Sequence, residues 1–191
     1  MSEFLLSDYY KIITDKITKL FTTNIKKTEE YSYDILYVEN NIRDIILRDK
    51  QLKIKIGYVW QIVLGNYFDF EDLCRDNSAF FGIDIVSHSR KIIIELKNRT
   101  NTDNSSSRKA NLDKLARCKV KYPEYLCIYG LINDSTQKKT EKGSIKLIKH
   151  NDVDIYQYVG YALLDLILHE DKDNIILFVK DLIKSITIFN K

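Results

Sequence analysis

Two short runs of alternating apolar residues, Phe81 to Val86 and Lys91 to Lys97, stand only four residues apart. Phe81, Ile83 and Ile85 alternate with Gly82, Asp84 and Val86, and Ile92, Ile94 and Leu96 alternate with Ile93, Glu95 and Lys97. Period two is the spacing of a strand with one buried face. With His88-Ser89 as a two-residue turn, Phe81 faces Leu96, Ile83 faces Ile94 and Ile85 faces Ile92, so every pair on that side is apolar. Gly82, Asp84, Ile93, Glu95 and Lys97 share the other side, with Asp84 opposite Ile93 and diagonal to Glu95, about 6–8 Å away. A slip of one residue would turn Asp84 into the apolar side and bury an unpaired charge. His-Ser is a poor pair for a type I′ turn, and a four-residue loop would preserve the same facing.

An aspartate and a Glu-x-Lys pair on one face of adjacent strands suit metal-dependent phosphodiester cleavage. A hard divalent cation, normally Mg²⁺, takes one or two carboxylates and keeps several waters. An ammonium two residues from a carboxylate ligand lies on the same strand face, where it can orient water and stabilise charge developing on phosphorus. The same three residues would also suit the solvated side of an ordinary amphipathic hairpin. The segment that follows favours the chemical reading.

Asn98 to Ser107 contains no apolar side chain, and its amides and hydroxyls suit phosphate or base-edge contacts as well as a plain polar loop. A helix is predicted from about Ser107 to Lys121, capped by Ser106 or Ser107, with Leu112, Leu115 and Ala116 buried and Lys114, Arg117 and Lys121 on its far side. From Asp84 to Lys121 there are ten Lys and Arg against four Asp and Glu, a balance of +6 in a chain whose net charge is +3. Basic charge is thus gathered beside the candidate site, as a polyanionic substrate would require.

The segment Gly82-Ile83-Asp84, then Glu95-Leu96-Lys97-Asn98-Arg99-Thr100-Asn101-Thr102, then the serine run and Lys109, resembles the PD-(D/E)XK type II restriction endonucleases. It looks most like the branch that cuts GGNCC-type palindromes, with an upstream match at Gly57-Tyr58-Val59-Trp60-Gln61, Leu64-Gly65-Asn66-Tyr67 and Glu71-Asp72-Leu73. The resemblance spans about residues 55–133, and Ile83 takes the place of the proline in the family's name. It implies Asp84 and Glu95 as Mg²⁺ ligands and Lys97 as the catalytic lysine. Candidate base or phosphate readers are Arg99, Asn101, Thr102, Arg108 and Lys109, with Gln61 and Asn98 as accessory residues. The implied enzyme is a Mg²⁺-dependent site-specific deoxyribonuclease acting on double-stranded DNA at a short palindrome. A homodimer would read such a site most economically, and a DNA methyltransferase would protect the host. A repair, recombination or junction-resolving nuclease of the same fold, or a non-catalytic nucleic-acid-binding protein, are the alternatives.

A chain of 191 residues, 45% hydrophobic, can bury a proper core and most simply makes one domain. Its parts read as a helical N-terminal part to about residue 50, a catalytic core over 55–150 and C-terminal helices over 154–189. A first helix is predicted with Ser7 as its cap and Tyr9, Ile13, Ile17 and Leu20 on one face. Two more follow over about Val38 to Arg48 (Ile42, Ile45 and Ile46 inward) and Lys55 to Phe68 (Ile56, Val59, Trp60, Val63 and Leu64 inward). On the flank of the last, Gly57, Gln61 and Gly65 recur every fourth residue, so the glycines could admit another backbone and Gln61 could reach the site.

Tyr125 to Ile132 reads as a buried central strand, Asn133 to Gly143 as a polar turn and Ser144 to Ile148 as an edge strand. Two amphipathic helices, about Asp154 to Leu168 and Asn174 to Phe189, complete the order, the first through Ile155, Val159, Ala162, Leu163 and Leu166 and the second through Ile176, Val179, Leu182, Ile183 and Ile186. The fold class is α/β, bordering on α+β: a restriction-endonuclease-like mixed sheet flanked by helices.

Cys74, Cys118 and Cys127 lack metal or disulfide spacing and read as reduced thiols. His88, His150 and His169 are assigned to a turn, a loop and a helix end, with structural or solvent roles. No Gly-rich phosphate loop is present, which argues against ATP-driven translocation. With no long apolar run or signal architecture, a cytoplasmic protein is expected.

Overall fold

The computed structural model describes residues 6–22, 40–73, 79–99 and 105–189. The chain runs through α1 (Leu6–Thr22), α2 (Asn40–Leu64), β1 (Phe70–Asp72), β2 (Ile85–Ser87), β3 (Ile92–Arg99) and α3 (Ser105–Lys121). It continues through β4 (Leu126–Asn133), α4 (Gln137–Lys142), β5 (Ser144–His150), β6 (Val153–Val159), α5 (Tyr161–Leu168), a 3₁₀ turn (His169–Asp171) and α6 (Lys172–Phe189). Six strands form one mixed sheet in the order β1-β2-β3-β4-β6-β5. β3–β4 and β4–β6 are parallel and the remaining pairs antiparallel. This is the expected α/β architecture of a mixed sheet flanked by helices. Among the described residues no helix is long and apolar enough to cross a membrane.

Side-chain alternation along the strands divides the core between the two sheet faces. On one face Ile85, Ile94 and Ile128 pack with Tyr9, Ile13 and Ile17 of α1, Val59 and Val63 of α2, and Leu163, Ile167, Ile175 and Val179 of α5 and α6. On the other, Val86, Ile93, Tyr129 and Ile155 pack with Leu112, Leu115 and Ala116 of α3 and with Phe80 and Ile83 from the turn before β2. Four helices thus cover one face and α3 the other. Trp60 is partly buried against the first core, as expected of a packing residue.

Several expectations need correction. The helices read over Val38–Arg48 and Lys55–Phe68 are one continuous helix, α2, ending at Leu64. The intervening Asp49 to Ile54 contains neither Gly nor Pro, so nothing in its propensity interrupts the helix. Ile42, Ile45 and Ile46 lie outside the described side chains. Ser7 is the second residue of α1 rather than its cap, and Ser106 and Ser107 lie inside α3, which begins at Ser105. The polar Asn133–Gly143 turn contains α4, capped by the Thr136 side chain accepting from the Lys139 N–H. The short strand β1 had no counterpart in the sequence reading.

The segment assigned to the start of a helix from Asp154 is strand β6. Ile155 and Val159 are buried as expected, but a spacing of four fits period two as well as period 3.6. The β-branched and aromatic content of Val153-Asp154-Ile155-Tyr156-Gln157-Tyr158-Val159 decides for strand. Asn151 and Asp152 (φ 49° and 60°) make the β5–β6 hairpin turn, the left-handed pair such a turn requires. His150 accordingly ends a strand rather than lying in a loop.

The β2–β3 hairpin keeps its predicted facing but slides by two residues. Ile85 pairs with Ile94, Val86 with Ile93 and Ser87 with Ile92, leaving a four-residue loop, His88 to Lys91. The buried Ser87 hydroxyl closes it by accepting from the Arg90 N–H at 3.2 Å and donating to Asp69 at 2.9 Å. Phe81 and Ile83 therefore do not pair with Leu96 and Ile94. Phe81 and Gly82 have positive φ (57° and 74°), which bends the chain before β2 and carries Ile83 to the α3 side.

Candidate active site

β3 passes through the middle of the sheet, and its alternation points Ile93 and Glu95 toward α3 while Ile94 and Leu96 enter the opposite core. The slid register has a chemical consequence. Continued one residue beyond Ile85↔Ile94, it brings Asp84 level with Glu95 rather than diagonal to it. Asp84 is fixed by main chain on both sides: its Oδ2 accepts from the Leu96 N–H at 2.7 Å and its carbonyl from the Leu73 N–H at 3.0 Å.

Glu95 is 1% exposed. Its Oε1 accepts from Lys97 Nζ at 2.7 Å and from Lys114 Nζ at 3.4 Å. Its Oε2 is buried and has no hydrogen-bond partner among the described residues. Asp84 is pushed up to about 6, chiefly by burial and then by the Glu95 charge, against the Leu96 N–H, Lys97 and Lys114, which pull it down. A buried carboxylate oxygen without a donor is costly and calls for an explanation. With Asp84 level with it on the neighbouring strand and two ammonium groups on its other oxygen, Glu95 is suited to holding a hard cation. Among the described residues no third His, Cys, Asp or Glu joins the pair in a cluster able to hold a metal. A two-carboxylate set fits Mg²⁺, which keeps most of its waters, better than Zn²⁺ or Ca²⁺, which want more protein ligands.

The other predicted residues divide. Lys97 is in the site. Asn98 accepts from Asn133 Nδ2 at 2.8 Å, tying β3 to β4. Gln61 is not brought to Asp84 or Glu95; its Nε2 donates to Asp72 Oδ1 at 2.9 Å, holding α2 to β1. Gly65 admits that strand, because a Cβ there would stand 2.8 Å from the Asp72 Cβ and 2.9 Å from its Cα. Gly57 admits no such approach, the nearest atom to a Cβ being the Asn98 Cβ at 3.9 Å. Arg108 donates to Gln157 at 2.8 Å and covers the ring of Tyr129, the strand neighbour of Glu95. Lys109 is exposed on α3 near Asp113. Arg99 ends β3, and its side chain, together with Asn101 and Thr102, lies outside the described residues.

Lys114 is the residue that sequence reasoning misplaced. Rather than facing away, its ammonium enters the site and also donates to the Gly82 carbonyl at 3.2 Å. Asn111 and Cys118 are buried along with Leu112, Leu115 and Ala116. At about 100° per residue the buried arc therefore reaches within about 40° of Lys114. Counting those two residues in the apolar stripe would have put Lys114 on its border.

The described cysteines and the histidines stay outside the site. Cys118 and Cys127 are free and buried, and burial pushes their thiols up to about 12 and about 11; Cys74 lies outside the described residues. His88 Nδ1 lies 2.9 Å from the Tyr125 hydroxyl, His150 Nε2 lies 2.7 Å from Asp113, and His169 Nε2 lies 2.9 Å from Arg90 Nη1.

No curated protein and no solved structure is significantly similar to the chain. The family model described as Eco47II restriction endonuclease matches residues 1–187. The match reaches well beyond the 55–133 stretch that carries the motifs and takes in α1, β6, α5 and most of α6. The chain therefore belongs to the Eco47II restriction endonuclease family.

Proposed function

We propose that the protein is a Mg²⁺-dependent type II restriction endonuclease that hydrolyses double-stranded DNA at a short palindromic site, with Asp84 and Glu95 as metal ligands and Lys97 as the catalytic lysine. The observation that carries the reading is the divided environment of the Glu95 carboxylate. One oxygen is held by two ammonium groups, and the other is buried without a donor, level with Asp84.

Mg²⁺ bound there supplies Lewis-acid polarisation of a phosphoryl oxygen and an activated water. The chain's own residues do the rest. The Leu96 N–H fixes Asp84, so the two carboxylates keep a set spacing without side-chain reorganisation. Lys97, hydrogen-bonded to Glu95, stays within reach of the reacting phosphate, where its charge favours the attacking water and the pentavalent state. Direct attack by water leaves a 5′-phosphate end. Such a set addresses one strand, so two copies related by a two-fold axis would read and cut both strands of a palindrome. A methyltransferase of matching specificity would be its functional partner.

Digestion of unmethylated plasmids with Mg²⁺ tests the proposal. Wild type is expected to give discrete fragments that share end sequences, and none in chelator. Lys97→Ala should lose about 100-fold or more of the cleavage rate while still binding DNA. Near wild-type cutting by that variant would sink the assignment of Lys97. Fragments without a common end sequence would indicate a repair-type nuclease, and binding with no metal-dependent cleavage a non-catalytic protein.

A further inference from the structure

Three cations of α3, Lys114, Arg117 and Lys121, fall within an arc of about 60° at 3.6 residues per turn and span about 10 Å of helix axis. All three border the turn that precedes Asp84. Lys114 donates to the Gly82 carbonyl, the Arg117 guanidinium lies 5.1 Å from the Phe81 ring centroid, and the Lys121 ammonium lies 5.4 Å from that ring and 5.1 Å from the ring of Tyr122. Arg117 and Lys121 are exposed, and neither has a carboxylate partner among the described residues. An aromatic face orients a guanidinium or ammonium without neutralising it, so the outer N–H groups stay available to an oxyanion. The remaining cations of the helix lie elsewhere: Arg108 donates to Gln157, Lys109 is near Asp113, and Lys119 donates to the carbonyls of Pro123 and Tyr125.

Resting on the nuclease reading above, we propose that this strip is a phosphate track. Lys114 holds the DNA backbone at the cleavage site, and Arg117 and Lys121 carry the same backbone away from it past Phe81. The site and the track are continuous because one residue, Lys114, belongs to both: its ammonium lies 3.4 Å from Glu95 Oε1 and 3.2 Å from the Gly82 carbonyl. Point charges on an exposed ridge, without amide groups set for base edges, suit phosphates of any sequence. The track supplies affinity and direction, and base reading belongs to other residues.

The test is DNA binding at several salt concentrations, with Ca²⁺ in place of Mg²⁺, for wild type, Lys114→Gln, the pair Arg117→Gln/Lys121→Gln, and Lys180→Gln. Lys180 is exposed on α6, against the opposite sheet face, and serves as the control. Each phosphate contact contributes about 0.9 to the slope of log K against log salt. The double variant should therefore lower the magnitude of that slope by about 2 and Lys114→Gln by about 1. The double variant's affinity should fall about tenfold or more, equally for cognate and unrelated duplexes. Lys180→Gln should match wild type.

Unchanged affinity and slope in the variants, with wild type binding normally, would overturn the track and leave the nuclease reading standing. A loss confined to cognate DNA would overturn it too, by making these residues base readers. Failure of wild type to bind any duplex would overturn both.

Discussion

Burying an isolated carboxylate as deeply as Glu95 carries a penalty on the order of several kcal/mol, and the ammonium groups of Lys97 and Lys114 offset it at one oxygen only. Asp84 shares the strain of that site. Its folded-state value of about 6 lies above the ordinary carboxylate value of about 4 that the unfolded chain keeps. Between those values the folded protein holds a proton that the unfolded chain has lost, so stability falls as pH rises through the window and levels off above about 6. Asp84→Asn removes the titrating charge and keeps an oxygen to accept from the Leu96 N–H. Metal-free Asp84→Asn should therefore be more stable than wild type at pH 8, by about 1–3 kcal/mol, with the difference closing toward pH 4. Chemical denaturation of both proteins in chelator at the two pH values measures this; a wild type that is the more stable at pH 8 would refute it. The acidic residues and Lys97 were legible from the sequence because strand periodicity alone put Asp84, Glu95 and Lys97 on one side. Lys114 was not, because its place depends on how far α3 rolls onto the sheet, which Asn111 and Cys118 settle by being buried.

Elements were legible where one period dominates and lost where two coincide. α1, α3, β4 and α6 follow patterns compatible with a single structure. Ile155 and Val159 fit helix and strand alike, and only the aromatic and β-branched residues between them select β6. The hairpin's facing was legible because parity fixes it. Its register was not, since the four-residue loop depends on Ser87 bonding to Arg90 and to Asp69, eighteen residues away. The junction of α2 with β1 depends on a different contact. A methyl group at Gly65 would press on the main chain of Asp72, at 2.9 Å from its Cα, and on the Gln61 carbonyl at 2.9 Å. Neither neighbour is a flexible side-chain tip. Gly65→Ala should cost about 1–3 kcal/mol in a urea melt through that overpacking. Gln61→Ala, which only removes the bond to Asp72, should cost about 1 kcal/mol. Equal stability of Gly65→Ala and wild type would show that β1 can move away at no cost, and that the glycine is not what sets the approach.

Across the whole molecule, four helices close one face of the sheet, while the other carries α3 and the Asp84–Glu95 site. Six of the ten basic residues of the 84–121 segment belong to α3, so a duplex that meets the site along that helix need not displace the α1, α2, α5 and α6 layer. A single Asp84–Glu95 site can address one phosphodiester at a time. If two copies act together on a palindrome, supercoiled plasmid should pass to linear product with little open circle accumulating. Dilution of the enzyme below the concentration at which copies associate should make open circle the first product, because single chains then nick one strand per encounter. Sedimentation over the same concentration range should show the change from twice the chain mass to the chain mass where the product pattern changes. Clean linearisation by a species that sediments as one chain at every concentration would rule out paired copies, and would require one site to cut both strands in succession.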